Sequence, residues 1–248
     1  YSSAASDVYK RQVVSSLVIF PAHTSSAVLV AMASWVMMLI GRVRFSELMK
    51  LVGWGVAGIV VVMTLNLGRS ETAEGRVSTW IHLWTNSQTE KPIEHLSDTE
   101  RSMIAIHNGG IFGEGAGQSA MRVEMIHPES DYAYAFFVEE YGLLLAVVLL
   151  MLYLWIFFRA IEIFRRCGTA FPGLLVLGLA LLITCQALLH VMVTVNLIPE
   201  TGQTLPLISR GGSSTLFTTI ALGMILSVSR QNDEQSHDTP RSESIYER

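Results

Sequence analysis

Long apolar runs constrain this chain more than any other feature of its sequence. Residues 133–158 and 172–197 are apolar over lengths that can cross a bilayer, which takes about 20 residues. Residues 25–40, 51–67 and 213–228 form further apolar runs. Of the 248 residues, 50% are hydrophobic and 15% are charged, whereas soluble domains carry about a quarter charged residues. The sequence therefore predicts an all-α, polytopic bundle of transmembrane helices.

Basic residues orient this predicted bundle. Lys and Arg in short loops mark the cytoplasmic side of a membrane protein. They occur in the predicted loops 41–50 and 159–170 and again at Arg230, and alternating spans place all three on one side. The long polar segment 68–130 and the connection between the last two spans are then predicted to be extracytoplasmic.

Four segments follow the expected start of the natural sequence. We expect residues 1–12 to be a sequencing artefact, because Asp7–Gln12 reads as a translated transposon adapter, although a short basic cytoplasmic lead is the alternative. Residues 13–67 are expected to form transmembrane helices, the first of them partial, and residues 68–130 an extracytoplasmic loop. Residues 131–229 are expected to form the last three spans with their outer loop, and residues 230–248 a disordered cytoplasmic tail.

Net charge and cysteine content bear on nucleic-acid binding and on disulfide bonds. The formal net charge is −4, which gives no support for binding nucleic acid. The two cysteines, Cys167 and Cys185, are too few for a disulfide framework and are interpreted as free thiols.

Acidic residues at the start of the run 133–158 are the strongest candidates for chemistry. Asp131 lies at the outer mouth of this run, and Glu139 and Glu140 lie within it, where charge is costly. On a regular helix Glu139 is roughly 80° from Asp131, so both can border one cavity, and Glu140 points away. Asp131 is a candidate general base or a ligand of a divalent cation, magnesium or manganese. The alternative is that Asp131 only caps a helix.

Polar residues in the run 172–197 and in the loop after it form a second group. Gln186, His190 and Thr194 are spaced by four residues and share one helix face, a pattern that also suits hydrogen bonding between helices. The Pro/Gly-rich connection 198–212 predicts a shaped loop, in which Arg210 suits a phosphate, with a position among anionic headgroups as the alternative. Ser213 and Ser214 after it are expected to cap the last helix.

The glycine-rich segment 108–119 lies inside the predicted outer loop. It lacks the lysine of a phosphate-binding P-loop and a surrounding strand–helix unit. Residues 99–106 before it suit a half-helix that dips into the outer leaflet, and the glycines would let the backbone approach a ligand or another helix, unless they form a flexible turn. Trp80 and Trp84 are expected to anchor an earlier part of the loop at the headgroups.

Three blocks resemble the SEDS proteins (shape, elongation, division and sporulation). They are IAIHNGGIFGEGAGQS at 104–119, PESDYAYAFFVEEYG at 128–142 and PETGQTLPLISRGGSS at 199–214. The first two are most similar to the FtsW branch of Bacteroidetes-type bacteria. The chain departs from the family at Glu114, often a basic residue, and at Glu129–Ser130, often His-Thr. The acceptor or metal environment is expected to differ accordingly.

The resemblance implies a ten-helix fold, of which this chain supplies the end of the fifth helix and the last five. It also implies a peptidoglycan glycosyltransferase that polymerises lipid II at the outer face of the bacterial cytoplasmic membrane, at the division septum, with Asp131 as catalytic residue. A class B penicillin-binding protein and other division proteins are the implied partners. A lipid II flippase and a scaffold without activity are the alternatives. The expected substrate contacts are Arg210, Ser209, Gly211, Gly212, Ser213, Thr201, Gly202, Arg101, Gly109, Gly110, Glu139 and His190.

Overall fold

The computed structural model describes residues 15–16, 18–19, 24–41, 43–64, 70–85, 96–121 and 128–238. The expected artefact at 1–12 lies outside these residues, as does most of the partial first helix. Every regular element in the described part of the chain is a helix, which confirms the all-α prediction. The helices are α1 (Thr24–Ile40), α2 (Phe45–Thr64), α3 (Ser70–Thr85), α4 (Asp98–Gly109), α5 (Pro128–Asp131), α6 (Ala133–Arg166), α7 (Ala170–Thr194) and α8 (Gly212–Asp238).

Three of the described helices are long and apolar enough to cross a membrane. They are α6, α7 and the part of α8 that covers Gly212–Glu234, and a shorter apolar helix covers Ser25–Ile40. Small side chains line the contacts between the three long helices: Ala146, Ala160 and Ala180 are each fully buried. Such residues let membrane helices approach closely, where lipid removes much of the hydrophobic driving force.

The two ends of the bundle agree with the predicted orientation. At one end, the Asn232 side-chain amide donates to the Cys167 sulfur at 2.9 Å, which brings the end of α8 to the turn between α6 and α7. Arg165, Arg166 and Arg230 therefore share this end. At the other end lie α5, the start of α4 and the loop that joins α7 to α8. We call these the inner and outer ends.

Two helices continue beyond their predicted ends. α6 reaches Arg166, so the predicted loop 159–170 shortens to residues 167–169. α8 reaches Asp238, and the expected disorder from Arg230 is wrong for residues 230–238. Arg230 Nε donates to Glu234 Oε1 at 2.8 Å, one helical turn away. Because such charged pairs stabilise an exposed helix, this segment can be helical without a periodic pattern of apolar residues.

Candidate functional site

A break in the chain between α5 and α6 presents Asp131 at the outer end. Tyr132 has φ −126° and ψ 24°, which interrupts the helix between Asp131 and Ala133. Tyr132, and not Asp131, is the N-cap of α6, and it makes no side-chain capping bond. The structure therefore does not support the helix-capping alternative for Asp131. The half-buried Asp131 carboxylate instead accepts from the Ser130 hydroxyl at 2.8 Å.

Tyr132 ties this break to the start of α4. Its ring is 2% exposed, and its hydroxyl lies 3.0 Å from Thr99 Oγ1. Burial raises the pKa of the Tyr132 phenol well above its ordinary value, and the charges of Glu200, Asp98 and Asp131 raise it further, although the bond to Thr99 opposes them. The phenol is therefore a neutral structural group beside Asp131 and not a second base.

Three acids share the outer end. Burial raises the pKa of Glu200, Arg76 opposes this shift, and the charges of Asp131 and Asp98 reinforce it. These carboxylates thus lie within electrostatic reach of one another. However, no group of three or more His, Cys, Asp or Glu side chains in the described part of the chain could hold a metal ion. The divalent cation expected at Asp131 stays a prediction, since Mg²⁺ is often held by one or two carboxylates together with substrate phosphates.

The loop between α7 and α8 carries Arg210 over an open groove. The groove has a volume of about 560 Å³. Its lining contains one acidic and one basic side chain, Glu140 and Arg210, beside a largely aromatic wall. The remaining lining residues are Ala133, Phe136, Phe137, Tyr141 and Ile208. Because Ala133 is two residues beyond Asp131, the groove begins next to the candidate base and descends along α6.

Arg210 also borders a second open surface along α8. It encloses a volume of about 650 Å³. The residues that line it are side chains from the first turns of α8 together with Ser209, Arg210, Gly211 and Gly212. These four predicted contact residues therefore lie together. Ser213 and Ser214 both lie within the first turn of α8, which begins at Gly212, so the predicted capping by these serines is not observed.

Glu139 and Glu140 are placed the opposite way from the prediction. Glu139 is fully buried, and its Oε2 accepts from the Ser119 hydroxyl, whereas Glu140 lines the groove. The projection from Asp131 fails because it assumes a continuous helix, and Tyr132 breaks that helix. The Glu139 Oε1 has no hydrogen-bond partner among the described residues.

The Glu139–Ser119 contact gives a stability prediction. Glu139→Ala removes a buried hydrogen bond from the Ser119 hydroxyl together with the buried carboxylate that accepts it, and losing such a bond costs about 1–3 kcal/mol. Glu139→Gln keeps an acceptor oxygen and is expected to lose much less. The Tm of each purified variant measures this difference, and Glu114→Gln at a nearby exposed position is the matched control. Equal losses in the Ala and Gln variants would contradict a structural role for this bond.

The glycine-rich loop closes a break inside α6. Gly142 has φ 82° and ψ 166°, a conformation that interrupts the helix roughly 13 Å beyond Ala133 at 1.5 Å per residue. The loop after α4 supplies partners for the backbone groups that this break releases. The four bonds are Leu143 N to Gly110 O (3.0 Å), Leu144 N to Ile111 O (3.3 Å), Glu114 N to Glu139 O (2.9 Å) and Gly115 N to Glu140 O (3.0 Å).

This arrangement makes α4 a re-entrant half-helix. Its start lies near Tyr132 and its end, Gly109, lies against Val138, so α4 descends beside the first part of α6. A Cβ on Gly109 would lie 2.2 Å from the Val138 carbonyl oxygen. The predicted close approach of the glycines to another helix is confirmed, and the dip of this half-helix into the outer leaflet stays a prediction. At the tip, Ile111 and Phe112 are 61% and 85% exposed, and Gly110 is exposed with φ 48°.

The polar stripe on α7 bonds to the outer loop. His190 is 1% exposed; its Nδ1 lies 2.7 Å from the Gln203 carbonyl oxygen and its Nε2 accepts from Tyr134 N at 3.3 Å. Gln186 Nε2 donates to the Thr204 carbonyl oxygen at 2.9 Å. These contacts match the hydrogen-bonding interpretation, with a loop as partner. They do not support the predicted contact between His190 and substrate, since both ring nitrogens bond to the protein.

The remaining predicted residues are spread around the outer end. Arg101 has a side chain that is 12% exposed and lies 3.7 Å from Asp98. Gly202 is exposed with φ 64°, and Thr201 is half-buried, with an Oγ1 that finds no hydrogen-bond partner among the described residues. These three residues are not among those that line the groove beneath Arg210.

Helix α3 is held to the outer end by its two tryptophans. Trp80 Nε1 and Trp84 Nε1 both donate to the Asn196 carbonyl oxygen, at 3.1 and 3.2 Å. The two side chains thus anchor α3 to the protein, and their expected place at the headgroups stays a prediction. Arg76 adds a longer bond to the Glu200 carbonyl oxygen at 3.4 Å.

Sharing one acceptor makes the two tryptophans partly redundant. Trp80→Phe or Trp84→Phe alone keeps one donor on Asn196, and we expect each to cost less than about 1 kcal/mol. The double variant removes both donors and is expected to release α3. Amide hydrogen exchange over residues 70–85 measures this release, and the exchange gain of the double variant should exceed the sum of the single gains. Additive gains would show that the shared acceptor does not hold α3.

Serine and tyrosine positions that sequence reasoning missed complete the site. Ser130 and Tyr132 flank Asp131, and Ser119 ends the glycine-rich block. All three lie in blocks that the sequence had singled out, and Ser130 also marks a departure from the family pattern, but no role was predicted for any of them. The roles of Ser130 and Tyr132 depend on the break at Tyr132, for which the apolar pattern gives no sign.

The fold and the site together define a polytopic membrane protein with a carboxylate and an arginine at its outer end. Residues 7–234 match the family described as Cell cycle protein, which comprises FtsW, RodA and SpoVE. The chain belongs to this family.

Individual relatives extend the comparison. The chain is 33% identical over 226 residues to "Probable peptidoglycan glycosyltransferase FtsW" of Marinobacter nauticus, which covers 89% of this chain and 54% of that protein. It is 36% identical over 136 residues to the protein of the same name from Thioalkalivibrio sp. (strain K90mix), covering 53% and 34%. "Stage V sporulation protein E" of Bacillus subtilis is 31% identical over 156 residues, covering 62% and 41%.

A solved structure shares the fold. It comes from work titled "Structural coordination of polymerization and crosslinking by a peptidoglycan synthase complex". The TM-score is 0.60 at 21% identity, over 86% of this chain and 57% of that chain. The present chain spans about half or less of the length of the curated relatives described above.

Proposed function

We propose that the protein is a peptidoglycan glycosyltransferase that polymerises lipid II at the outer face of the bacterial cytoplasmic membrane, at the division septum. The observation that carries this proposal is the half-buried Asp131 carboxylate at the outer end, beside a groove that runs from Arg210 into the apolar bundle. Relatives named as probable peptidoglycan glycosyltransferases support the reaction class. An enzyme for a lipid-linked sugar needs such a site, because its substrate has both a water-soluble and a lipid part.

In the proposed reaction Asp131 acts as the general base. Its carboxylate accepts the proton of the attacking sugar hydroxyl, and the resulting oxygen forms a bond to the anomeric carbon of the donor. The bond from that carbon to the lipid diphosphate breaks, and the electron pair leaves with the diphosphate. A positioned base of this kind contributes about 10²–10⁴-fold to a rate. The hydrogen bond from Ser130 fixes the direction of the carboxylate.

Arg210 is the group that stabilises the leaving diphosphate. Its guanidinium is exposed at the top of the groove and matches the geometry of phosphate oxygens. Fixed positive charge at the site where negative charge develops is often the largest contribution to catalysis. The aromatic wall of Phe136, Phe137 and Tyr141 below it suits the prenyl chain.

A divalent cation, if bound, would be held by Asp131 together with the substrate diphosphate, and it would supply positive charge beside the leaving group. The steps above are those of the side chains of Asp131 and Arg210.

The decisive experiment measures the product formed by the full-length protein. The protein, together with its cognate class B penicillin-binding protein, is reconstituted in vesicles with labelled lipid II. Glycan strands are then resolved by gel electrophoresis, and lipid II orientation is followed in parallel. Strand formation supports the proposal. Movement of lipid II across the bilayer without strands would favour the flippase, for which the buried Glu139 with an unpartnered oxygen is the supporting observation. Neither activity, with partner recruitment intact, would favour a scaffold.

A further inference from the structure

Two buried polar side chains hold the outer loop against the backbone on either side of Asp131. Ser209 is 4% exposed, and its hydroxyl donates to the Ser130 carbonyl oxygen at 2.9 Å. His190 is 1% exposed, and its Nε2 accepts from Tyr134 N at 3.3 Å. The two contacts therefore fix the chain one residue before Asp131 and three residues after it.

Each of these side chains is also bonded to the loop itself. The Ser209 oxygen accepts from Leu205 N at 2.7 Å, and His190 Nδ1 contacts the Gln203 carbonyl oxygen at 2.7 Å. A carbonyl oxygen only accepts, so Nδ1 carries the hydrogen and Nε2 is the acceptor for Tyr134 N. Both side chains thus use their hydrogen-bonding groups within the protein, although their positions in the sequence had suggested contact with substrate.

We propose that Ser209 and His190 are positioning residues, which set the place of Asp131 relative to Arg210. This inference rests on the proposed function. Arg210 directly follows Ser209, and Ser130 directly precedes Asp131, so one hydrogen bond joins the segments that carry the base and the cation. His190 fixes the opposite side of Asp131 through Tyr134. A displacement of about 1 Å at a reacting group costs on the order of 10²-fold in rate, so two such ties affect the chemical step strongly.

Ser209→Ala tests the first tie, because it removes only the hydroxyl oxygen and adds no atoms. We expect kcat for lipid II polymerisation to fall about tenfold or more, with KM within about twofold of the wild-type value. Ser209→Thr keeps a hydroxyl and is expected to restore most of kcat. His190→Asn, which shortens the link between Tyr134 and Gln203, is expected to show the same selective loss of kcat.

Ser102→Ala is the matched control. Ser102 is also fully buried at the outer end, and its hydroxyl donates to the backbone carbonyl oxygens of Thr99 and Thr194, which lie outside the segment 130–134. The substitution is chemically the same, and we expect kcat within about twofold of wild type. A loss in Ser102→Ala equal to that in Ser209→Ala would show a general effect of removing a buried hydroxyl, and would overturn the positioning role.

The Asp131→Asn background shows whether Ser209 acts through Asp131. In that background we expect Ser209→Ala to change the residual rate by less than about twofold. Asparagine at position 131 cannot act as the base, so a displacement of this side chain lowers the rate no further. An equal fold loss in both backgrounds would overturn the inference. Asp131→Asn with the wild-type rate would instead overturn the proposed function, whereas an inactive Asp131→Asn with a fully active Ser209→Ala overturns only the positioning role.

Discussion

Asp131→Asn is expected to lower the rate of lipid II polymerisation by about 10²–10⁴-fold, the contribution of a positioned general base. The amide cannot take the proton of the attacking hydroxyl at neutral pH. It keeps one oxygen that can accept from the Ser130 hydroxyl, so the local structure is expected to survive. The measurements are the initial rate of strand formation by the full-length protein with its partner and the Tm of the same preparation, which should be unchanged.

Glu200→Gln is the matched control for Asp131→Asn. Glu200 is a half-buried acid of the same outer end, close enough to Asp131 for the two charges to interact. Its substitution removes the same charge while leaving the proposed base in place, and we expect polymerisation within about twofold of wild type. Equal losses in the two variants would show that negative charge at this end, rather than a base at one position, is what the reaction needs. Asp131→Asn with an unchanged rate would remove Asp131 from the chemistry.

The apolar pattern predicted most of the bundle, because the bilayer imposes it directly. A helix that crosses a membrane must bury its backbone polar groups within itself and present apolar side chains, so the long runs identified α6, α7 and α8. The clustering of Arg165, Arg166 and Arg230 at one end was predictable for a related reason, since basic loops stay on one side of the membrane.

The facing of the acids was not predictable from the same pattern. The order of Glu139 and Glu140 around α6 follows from a regular helix only if that helix begins before Asp131. Tyr132 interrupts it, and no residue type at that position signals the break. Likewise, the polar stripe containing His190 was visible in the sequence, but its partners in the loop depend on how residues 203–209 fold back over the bundle.

The break at Gly142 was hidden for a different reason. Single glycines are common in membrane helices and do not by themselves mark an interruption. The interruption is stabilised by a loop that precedes Gly142 by about thirty residues in the sequence, and non-helical backbone at this depth is tolerated only when other groups satisfy it. The glycine-rich block and Gly142 therefore form one packed unit, and neither segment of the sequence by itself predicts the contact between them.

Gly113→Ala and Gly142→Ala are expected to disrupt this packed unit and to give the largest losses of stability. A Cβ on Gly113 would lie 2.4 Å from the Glu140 carbonyl oxygen, and a Cβ on Gly142 would lie 2.4 Å from the Ile111 carbonyl oxygen. Both glycines also have positive φ, 80° and 82°, where a side chain adds about 1–2 kcal/mol of strain. Backbone atoms cannot move aside cheaply, so we expect each substitution to cost more than about 3 kcal/mol.

Gly117→Ala separates the clash from the strain. Gly117 lies in the same loop with φ 77°, but a Cβ there would meet no atom within 4 Å. This control is therefore expected to lose only the strain contribution of about 1–2 kcal/mol. The Tm of detergent-solubilised protein gives the ranking, and hydrogen exchange at Leu143 and Leu144 shows whether the bonds across the break have opened.

The double variant Gly113→Ala/Gly142→Ala extends the argument. Gly142 contacts Gly113 directly, since a Cβ on Gly142 would lie 2.6 Å from Gly113 N, and the first substitution already separates the loop from the helix. The combined loss should therefore fall well short of the sum of the single losses. Additive losses, or a Gly117→Ala variant as unstable as Gly113→Ala, would show that the loop and the helix break are independent. Non-additive losses of stability, accompanied by loss of polymerisation, would show that the groove beside Glu140 depends on the same packed unit.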